Sequence, residues 1–305
     1  MSKILITGGA GFIGSNLAKK LVEEGHEVVV LDNLLRGNKI DKQTLNQIEF
    51  VKGDVTHYET VLNCCKGCDV IFHFAAVLGV DVVADNPVET MDVETIGMRN
   101  IANAAIELGI NKILYASTSG IYGHAAMEQA VTETITVDPT TSYAMAKRYN
   151  EIYLASLFEE KGIRSIALRF FNVYGHNQDN RMVIPRFIEQ AKNNKPITVY
   201  GNGNQTRDFT FIDDTLDACI KLMDKIEDVK FEIFNIANEV EGSIIELANT
   251  IKEITKSNSE IKFIEAPKKR YDYEVGRRVG SSDKLYKFIG YKPNTDLITG
   301  LNTFI

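Results

Sequence analysis

A glycine-rich segment near the start of the chain places the strongest constraint on its fold. Residues 7–14 follow the apolar run 4–6 and carry glycine at positions 8, 11 and 14. Glycine at these positions permits a tight strand-to-helix turn, a close approach of backbone to phosphate, and close packing of helix on strand. The helix expected to open there would direct its free N–H groups toward a pyrophosphate. The sequence therefore predicts a dinucleotide-binding turn formed by Gly8, Gly11, Phe12, Ile13 and Gly14.

Strand and helix patterns alternate along the first half of the chain. Short runs rich in β-branched residues predict strands at 3–7, 27–31, 48–52, 69–74, 112–117 and 164–170. Amphipathic patterns between them predict helices near 12–24, 58–66, 88–109 and 142–161. This alternation predicts parallel strands with helices on both faces. The expected fold class is therefore α/β, with a doubly wound parallel sheet of the Rossmann type.

The pattern changes after about residue 173. Polar loops rich in glycine and asparagine alternate with helical patterns at 181–193 and 213–225, and the apolar run 231–236 is expected to return to the main sheet. We therefore expect a smaller, discontinuous substrate-binding domain beside the Rossmann domain, with the active site in the cleft between them. The Rossmann domain would comprise residues 1–173 and 213–238, and the second domain residues 174–212 and 239–305.

Two acidic residues follow the second and third predicted strands. Asp32 lies eighteen residues after Gly14. A carboxylate there can accept hydrogen bonds from the adenosine ribose and would repel a 2′-phosphate, which favours NAD over NADP. Arg36 lies close enough to leave NADP as an alternative. Asp54 follows the third strand and either hydrogen-bonds the adenine or caps a turn.

Tyr143 and Lys147 form a second motif, 129 residues after the glycine turn. On a helix capped by Ser142, residues at i and i+4 project from the same face. A free tyrosine titrates near ~10, and a nearby ammonium and an oxidised nicotinamide both favour its phenolate. This pair predicts a general base that acts on an alcohol while a hydride passes to the nicotinamide.

A run of hydroxyl side chains at Ser117, Thr118 and Ser119 lies where the fifth predicted strand ends and a loop begins. A hydroxyl at this place can hydrogen-bond the reacting oxygen as charge develops on it. The same residues are also common where a chain simply turns.

Composition excludes several other classes of protein. The net charge of −7 provides no basic surface for nucleic acid. No apolar stretch is long enough to cross a membrane, and the expected location is cytoplasmic. The four cysteines lack a second ligand pair at metal spacing, so we expect buried, reduced thiols and no metal site.

These segments together resemble the extended short-chain dehydrogenase/reductases, in particular the NAD-dependent nucleotide-sugar epimerase/dehydratase family (UDP-glucose 4-epimerase-like). The resemblance covers nearly the whole chain. It rests on the segments 7–14, 31–34, 53–55, 72–76, 117–123, 143–147, 168–175, 201–208 and 290–293.

The resemblance implies roles for individual residues. Thr118 would be the catalytic hydroxyl, Tyr143 the base, and Lys147 the ribose-binding partner that lowers the pKa of the tyrosine. Further cofactor contacts would come from Asn33, Val55 and Ala75. The substrate would be a nucleotide-diphosphate sugar bound by Asn172, Arg207 and either Arg277 or Arg270. Glu94 stands where the family usually has asparagine. This difference leaves one local backbone interaction near the cofactor open.

The residues after Thr118 discriminate between reactions within this family. The 4,6-dehydratases carry Asp-Glu there and the decarboxylases keep the Glu, whereas this chain has Ser119 and Gly120. Neither residue moves a proton at neutral pH, so dehydratase and decarboxylase are less favoured. We expect a 4-epimerase acting through a transient 4-keto sugar. The alternatives are a net 4-dehydrogenase that releases the keto sugar, and a catalytically silent NAD-binding protein.

Two properties stay open at this stage. Fold-level analogy does not identify the nucleotide or the sugar. UDP is the commonest nucleotide among similar proteins, and GDP, CDP or dTDP remain open. The helices predicted near 88–109 and 142–161 would pair across a two-fold axis as a four-helix bundle in a homodimer, as in relatives. Their apolar faces fit equally well against the sheet.

Overall fold

The computed structural model describes residues 1–77, 80–127, 129–265 and 276–305, without the side chains of residues 80–82. Short apolar runs form its strands. The strands are β1 (Lys3–Thr7), β2 (Glu27–Asp32), β3 (Glu49–Lys52), β4 (Val70–His73), β5 (Lys112–Thr118), β6 (Arg164–Phe170), β7 (Asn172–Tyr174), β8 (Ile197–Tyr200), β9 (Thr206–Phe211), β10 (Phe231–Ile236), β11 (Glu241–Ser243), β12 (Ile261–Ile264) and β13 (Arg277–Arg278). The first six lie where the sequence predicts them.

The helices occupy the connections between strands. They are α1 (Phe12–Glu23), α2 (Lys42–Leu45), α3 (Tyr58–Cys65), α4 (Val80–Asp85), α5 (Pro87–Leu108), α6 (Ser142–Lys161), α7 (Val183–Lys192), α8 (Ile212–Asp224), α9 (Ile244–Ile254), α10 (Asp283–Ile289) and α11 (Leu297–Asn302). Two 3-10 helices add Ser119–Ala126 and Ile226–Asp228. The predicted hydroxyl-rich loop after β5 is therefore helical from its first residue.

Seven parallel strands form the main sheet in the order β10-β6-β5-β4-β1-β2-β3. The central strands β1 and β4 are buried almost throughout, as expected for a parallel sheet covered on both faces. The run 231–236 pairs with β6, which confirms its predicted return to the sheet. The strand order reverses beside β1, whose neighbours are β2 and β4. A ligand crevice is expected at such a switch point, outside the carboxyl ends of the strands.

Apolar side chains pack on both faces of this sheet. Leu17 of α1 and Leu216 of α8 belong to one core, and Val61, Met98 and Leu154 of α3, α5 and α6 belong to the other. The predicted α/β fold of the Rossmann type is thereby confirmed.

A second group of strands follows β6. The strands β7, β9, β11 and β13 form a four-stranded sheet, and β8 pairs with β12. Most of these strands lie within the predicted second domain, although β7 begins at Asn172, just before the predicted boundary at 174. The exact limits of the two domains remain a prediction.

The four cysteines, Cys64, Cys65, Cys68 and Cys219, are buried free thiols, as predicted. Burial raises the pKa of Cys64 to about 11 and that of Cys68 to about 12, so both stay protonated at neutral pH. Within the described part of the chain, no helix is both long and apolar enough to cross a membrane.

Candidate active site

A cavity of about 320 Å³ opens at the carboxyl ends of the central strands. It combines the end of β1, the start of α1, the ends of β5 and β6, and the first two turns of α6. The predicted site residues that line it are Gly8, Gly11, Phe12, Ile13, Gly14, Thr118, Tyr143, Lys147 and Asn172. Two motifs far apart in sequence are thus brought to one cavity.

The glycine turn leaves no room for side chains. A Cβ on Gly8 would stand 2.7 Å from the backbone nitrogen of Ala75, and a Cβ on Gly14 would stand 2.4 Å from the carbonyl oxygen of Gly8. Gly8 also has a φ of 69°, in the left-handed region that favours glycine. The turn therefore presents bare backbone and the amino end of α1 to the cavity, which fits a pyrophosphate.

Buried polar contacts hold the loop after β4 behind this turn. The backbone N–H of Ala75 donates to the hydroxyl of Thr7 at 3.2 Å, and that hydroxyl lies 2.7 Å from Nδ1 of His73. Burial, and secondly the charge of Lys147, lowers the pKa of His73 to about 3, so the ring is neutral. Ala75 contacts the glycine turn but is not among the cavity-lining residues.

Asp32 lies at the end of β2 and organises the chain around it. Its carboxylate accepts hydrogen bonds from the backbone N–H groups of Ala10 at 3.0 Å and Leu34 at 2.7 Å. Burial raises its pKa, against the opposing effect of these two donors. Each carboxylate oxygen keeps lone pairs for a further donor such as a ribose hydroxyl.

Asp54 and its neighbours lie beside Asp32, and all of them, Asp32 included, lie outside the cavity lining. Asp54 accepts from the side chain of Asn33 at 2.9 Å and from the backbone and hydroxyl of Thr56. It therefore caps a turn, which is one of the two alternatives drawn from the sequence. Val55 is buried in the core formed with α3 and α5, and its carbonyl oxygen accepts from Asn100.

The first two turns of α6 carry the predicted tyrosine and lysine, but the cap of this helix differs from the prediction. Thr141 is the N-cap, and its side chain accepts from the backbone N–H of Ala144, whereas Ser142 is already helical. The predicted cap at Ser142 is therefore wrong by one residue. Three consecutive hydroxyl residues precede Tyr143, and each could cap the helix as far as the sequence shows. The path of the chain into the helix determines which of them is the N-cap.

Tyr143 and Lys147 lie one turn apart and both face the cavity. The ammonium of Lys147 is 5.4 Å from the centre of the Tyr143 ring and fully buried. Burial, and secondly the carboxylate of Glu94, raises the pKa of Tyr143. A positive charge is needed close to the phenol before it can act as a base near neutral pH.

Thr118 ends β5 and presents its hydroxyl at the cavity. The oxygen accepts a hydrogen bond from the backbone N–H of Gly120 at 3.0 Å, which fixes the side chain at the start of the 3-10 helix. Its proton remains available for donation to a ligand. A Cβ on Gly120 would lie 3.3 Å from this oxygen, so a larger residue would crowd the hydroxyl.

The predicted phosphate-binding arginines lie outside the cavity lining. Arg207 is buried on β9 and donates to the carbonyl oxygen of Thr206 at 2.7 Å. Arg277, on the neighbouring strand β13, makes a two-pronged contact with Glu241 at 2.9–3.2 Å. The alternative residue Arg270 lies outside the described residues.

Several residues of the site escaped sequence reasoning. Lys39, Gln178 and Asp179 line the cavity, and Arg36 lies 3.8 Å from Asp179 across it. Nothing in the sequence links positions 36 and 179, because only the fold brings the two loops together.

Glu94, known from the sequence only as a departure from asparagine, contacts the ammonium of Lys147 at 2.9 Å. The sequence did contain a signal that Glu94 is buried. Glu94 shares a helical face with Met98, Ile101 and Ala105, all fully buried, so the carboxylate had to be buried with them.

The fold and the site define an enzyme of the Rossmann type that binds a nicotinamide dinucleotide. A family model described as NAD dependent epimerase/dehydratase family matches residues 4–237. The chain belongs to this family, and its cofactor is NAD.

Individual relatives match along nearly their whole length. A UDP-N-acetyl-alpha-D-glucosaminuronate decarboxylase of Bacillus cytotoxicus is 35% identical, over 99% of this chain and 96% of its own. A putative UDP-glucose 4-epimerase of Methanocaldococcus jannaschii is 33% identical, over 99% and 97%. The structure of the UDP-glucose 4-epimerase of Thermus thermophilus in complex with NAD superimposes with a TM-score of 0.89 and 29% identity, covering 98% of this chain and 96% of that one.

Proposed function

We propose that this protein is a 4-epimerase of a nucleotide-diphosphate sugar that works through a transient 4-keto sugar. One observation carries the proposal: Thr118, Tyr143 and Lys147 line the same cavity as the glycine turn. A hydroxyl donor, a phenol and an ammonium therefore face the place where a dinucleotide would lie. This arrangement suits the oxidation of a secondary alcohol.

The residues of the chain divide the work of this reaction. NAD supplies the acceptor and later the donor of the hydride at C4. Thr118 donates a hydrogen bond to O4, Tyr143 removes the O4 proton and later returns it, and the ammonium of Lys147 stabilises the phenolate. The glycine turn would hold the pyrophosphate, and Asp32 the adenosine ribose. The nearby residues Asn33, Asp54, Val55 and Ala75 would complete the cofactor site.

Binding of the sugar nucleotide would involve the polar residues around the cavity mouth. Asn172 lines the cavity and would contact the sugar or its phosphate. Arg207 would bind the diphosphate by a two-pronged contact, which a planar guanidinium suits well. Arg277 would have to exchange Glu241 for the phosphate before it could contribute.

The residues after Thr118 support epimerisation over elimination of water. Ser119 is almost fully buried, and Gly120 has no side chain. Neither can act as the added acid and base that a 4,6-dehydratase needs. A net 4-dehydrogenase would use the same three residues and is therefore the runner-up.

The likeness to a uronate decarboxylase gives a second candidate. Oxidation at C4 of a sugar with a carboxylate at C6 produces a β-keto acid, which loses carbon dioxide readily. The same Thr118, Tyr143 and Lys147 would carry out that oxidation. Gly120, where the decarboxylases keep a glutamate, counts against this candidate.

A substrate panel tests these candidates. The protein with added NAD is incubated with UDP-glucose, UDP-N-acetylglucosamine, UDP-glucuronate and GDP-mannose, and products are followed by sugar NMR, carbon dioxide release and NADH absorbance. A C4 stereoisomer without lasting NADH supports the epimerase. Carbon dioxide from the uronate identifies a decarboxylase, and stoichiometric NADH with a released keto sugar identifies a dehydrogenase. No conversion of any nucleotide sugar contradicts the whole proposal.

Replacement of Tyr143 by phenylalanine tests the catalytic assignment. We expect Tyr143→Phe to lower kcat at least about 100-fold, because the base is lost, while NAD stays bound. Tyr286→Phe, on an exposed position of α10, is the matched control and should keep activity. Activity of Tyr143→Phe near the wild-type level would show that another group is the base.

We further propose a homodimer formed by α5 and α6. Both helices pack on the sheet, yet they leave large apolar side chains exposed. These are Val88, Met91 and Ile96 on α5, and Met145, Tyr149 and Ile152 on α6. A second copy of the same two helices would cover them as a four-helix bundle. A cytoplasmic location also stays a prediction.

A further inference from the structure

A buried carboxylate stands directly behind the proposed catalytic lysine. Glu94 of α5 and Lys147 of α6 both have completely buried side chains, and Oε2 of Glu94 lies 2.9 Å from Nζ of Lys147. The hydroxyl of Tyr115, on β5, donates to the same carboxylate oxygen at 3.2 Å. Three elements of the main fold thus meet at this carboxylate.

The position of Glu94 is fixed independently of its charge. Asn150 of α6 donates to the backbone carbonyl of Glu94 at 3.0 Å and to the hydroxyl of Tyr115 at 2.8 Å. The Tyr115 ring in turn lies under the ammonium of Lys147, 4.6 Å from its centre. The lysine is therefore held between an aromatic face and a carboxylate.

Stability alone does not account for such a pair. Two buried charges lose their hydration, and a well-packed apolar pair of similar volume is often as stable or more stable. The second oxygen of Glu94, Oε1, has no hydrogen-bond partner among the described residues, which adds a further cost. The pair therefore calls for a functional explanation.

We propose that Glu94 is a positioning residue that keeps the buried ammonium of Lys147 protonated and directed at the active-site cavity. The proposal rests on the proposed function, in which Lys147 stabilises the phenolate of Tyr143. Without a counter-ion, a fully buried lysine favours its neutral form and could no longer stabilise an anion.

Burial and the contact between the two side chains act on their pKa values in opposite directions. Burial lowers the pKa of Lys147, and the contact with Glu94 opposes that effect. Burial raises the pKa of Glu94, and Lys147 opposes it in the same way. Burial is the larger effect on both groups, and each partner opposes the shift toward the neutral form that burial causes in the other.

The other ionisable groups around Lys147 do not replace Glu94. Glu151, one turn further along α6, is already paired with Arg169, from which it accepts two hydrogen bonds at 2.8–2.9 Å. Its charge raises the pKa of Lys147 less than that of Glu94 does. His73 of β4 is neutral, since burial lowers its pKa to about 3. Burial raises the pKa of Tyr115 and of Tyr143, so neither ring supplies a resting negative charge.

The direct test is the titration of Lys147 itself. Protein labelled with 13C at lysine Cε, with NAD added, is followed by NMR from neutral to alkaline pH, and the Lys147 signal is assigned by its loss in Lys147→Met. We expect Glu94→Gln to lower the pKa of Lys147 by about two units or more, as for other buried lysines. Glu94→Asp retains the charge and should lower it by less than about one unit. The same pKa in wild type and Glu94→Gln would overturn the proposal.

Activity gives a second readout that a packing role would not move. The substrate is the one that the panel of nucleotide sugars identifies. On the alkaline side of the pH profile, kcat/KM of Glu94→Gln should begin to fall about two pH units lower than kcat/KM of the wild type, because Lys147 loses its proton at lower pH. Lower thermal stability with an unchanged pH profile would mean a purely structural role.

A double variant keeps the test decisive if Glu94→Gln does not fold. Glu94→Gln/Lys147→Met removes both charges, so it should fold and be more stable than Glu94→Gln alone. A double variant that is no more stable than the single one would contradict the ion pair.

The lysine titration needs no substrate, so its failure is distinguishable from a failure of the proposed function. Full activity of Tyr143→Phe would reject the catalytic assignment. Loss of activity in Tyr143→Phe, together with an unmoved Lys147 titration in Glu94→Gln, would reject only the role of Glu94.

Discussion

At the scale of single residues, Gly8 shows how backbone geometry prepares the cofactor site. Its φ of 69° is in the left-handed region, and a Cβ at this position would meet the backbone of Phe74 and Ala75. The segments that follow β1 and β4 can approach this closely only because no side chain separates them. The result is a shallow surface of backbone groups at the amino end of α1.

Replacement of Gly8 by alanine should therefore have two separate effects. The left-handed conformation costs an alanine about 1–2 kcal/mol, and its Cβ would stand 2.7–2.8 Å from backbone atoms of residues 74 and 75. We expect lower thermal stability and at least a tenfold loss of NAD affinity, measured by calorimetry.

Gly25→Ala is the matched control for this change. Gly25 also has a positive φ, of 86°, but nothing lies within 4 Å of the position of its Cβ. It should lose a similar amount of stability from backbone strain and keep its NAD affinity. Equal NAD affinity in both variants would show that the close approach at Gly8 does not matter for the cofactor.

At the scale of elements, α6 ties the catalytic residues to the sheet. Glu151 accepts from Ser117 at 2.7 Å and pairs with Arg169 of β6, which also donates to the hydroxyl of Tyr122. This buried network joins α6 to β5 and β6 next to Thr118. The distance between Thr118 and Tyr143 is therefore set by elements rather than by a loop.

The start of α6 offers a test of the cap at Thr141. The Thr141 hydroxyl oxygen accepts from the backbone N–H of Ala144 at 3.1 Å, whereas Ser142 lies inside the helix. We expect Thr141→Ala to lower the free energy of unfolding by about 1 kcal/mol. Ser142→Ala should change it by no more than about 0.5 kcal/mol. Chemical denaturation of both variants decides, and the reverse order would place the cap at Ser142.

At the scale of the whole molecule, the reversal of strand order beside β1 determines where the site lies. Strands β2 and β4 lie on opposite sides of β1, so the loops after β1 and β4 diverge and open a crevice. The hydroxyl of Thr118 and the helix that carries Tyr143 border this crevice because β5 is the next strand in the sheet. The apolar faces of α5 and α6 lie outside it.

The proposed dimer can be tested on this outer face. Ile152 on α6 is 53% exposed, and a lysine there would place a charge in the four-helix bundle. We expect wild type to elute as a dimer and Ile152→Lys as a folded monomer in size-exclusion chromatography with light scattering. Ile298→Lys, on the equally exposed Ile298 of α11, is the control and should remain a dimer. A wild-type monomer at micromolar concentration would refute the proposal.

Local patterns in the sequence determined the elements and most of the cofactor turn. Short runs of β-branched residues predicted β1 to β6, and the spacing of Gly8, Gly11 and Gly14 predicted the turn between β1 and α1, because these features depend on neighbouring residues only. The four-residue spacing of Tyr143 and Lys147 similarly predicted a shared helix face. These properties follow from the chain's local geometry.

Contacts between distant segments were decided only by the tertiary structure. The cap at Thr141, the pairing of Arg277 with Glu241, and the carboxylate of Glu94 against Lys147 depend on how helices and strands pack. A sequence gives the residue types, but the free energy of a buried charge depends on which groups surround it in three dimensions. The local sequence thus sets which catalytic groups are present, and the fold sets their charges and partners.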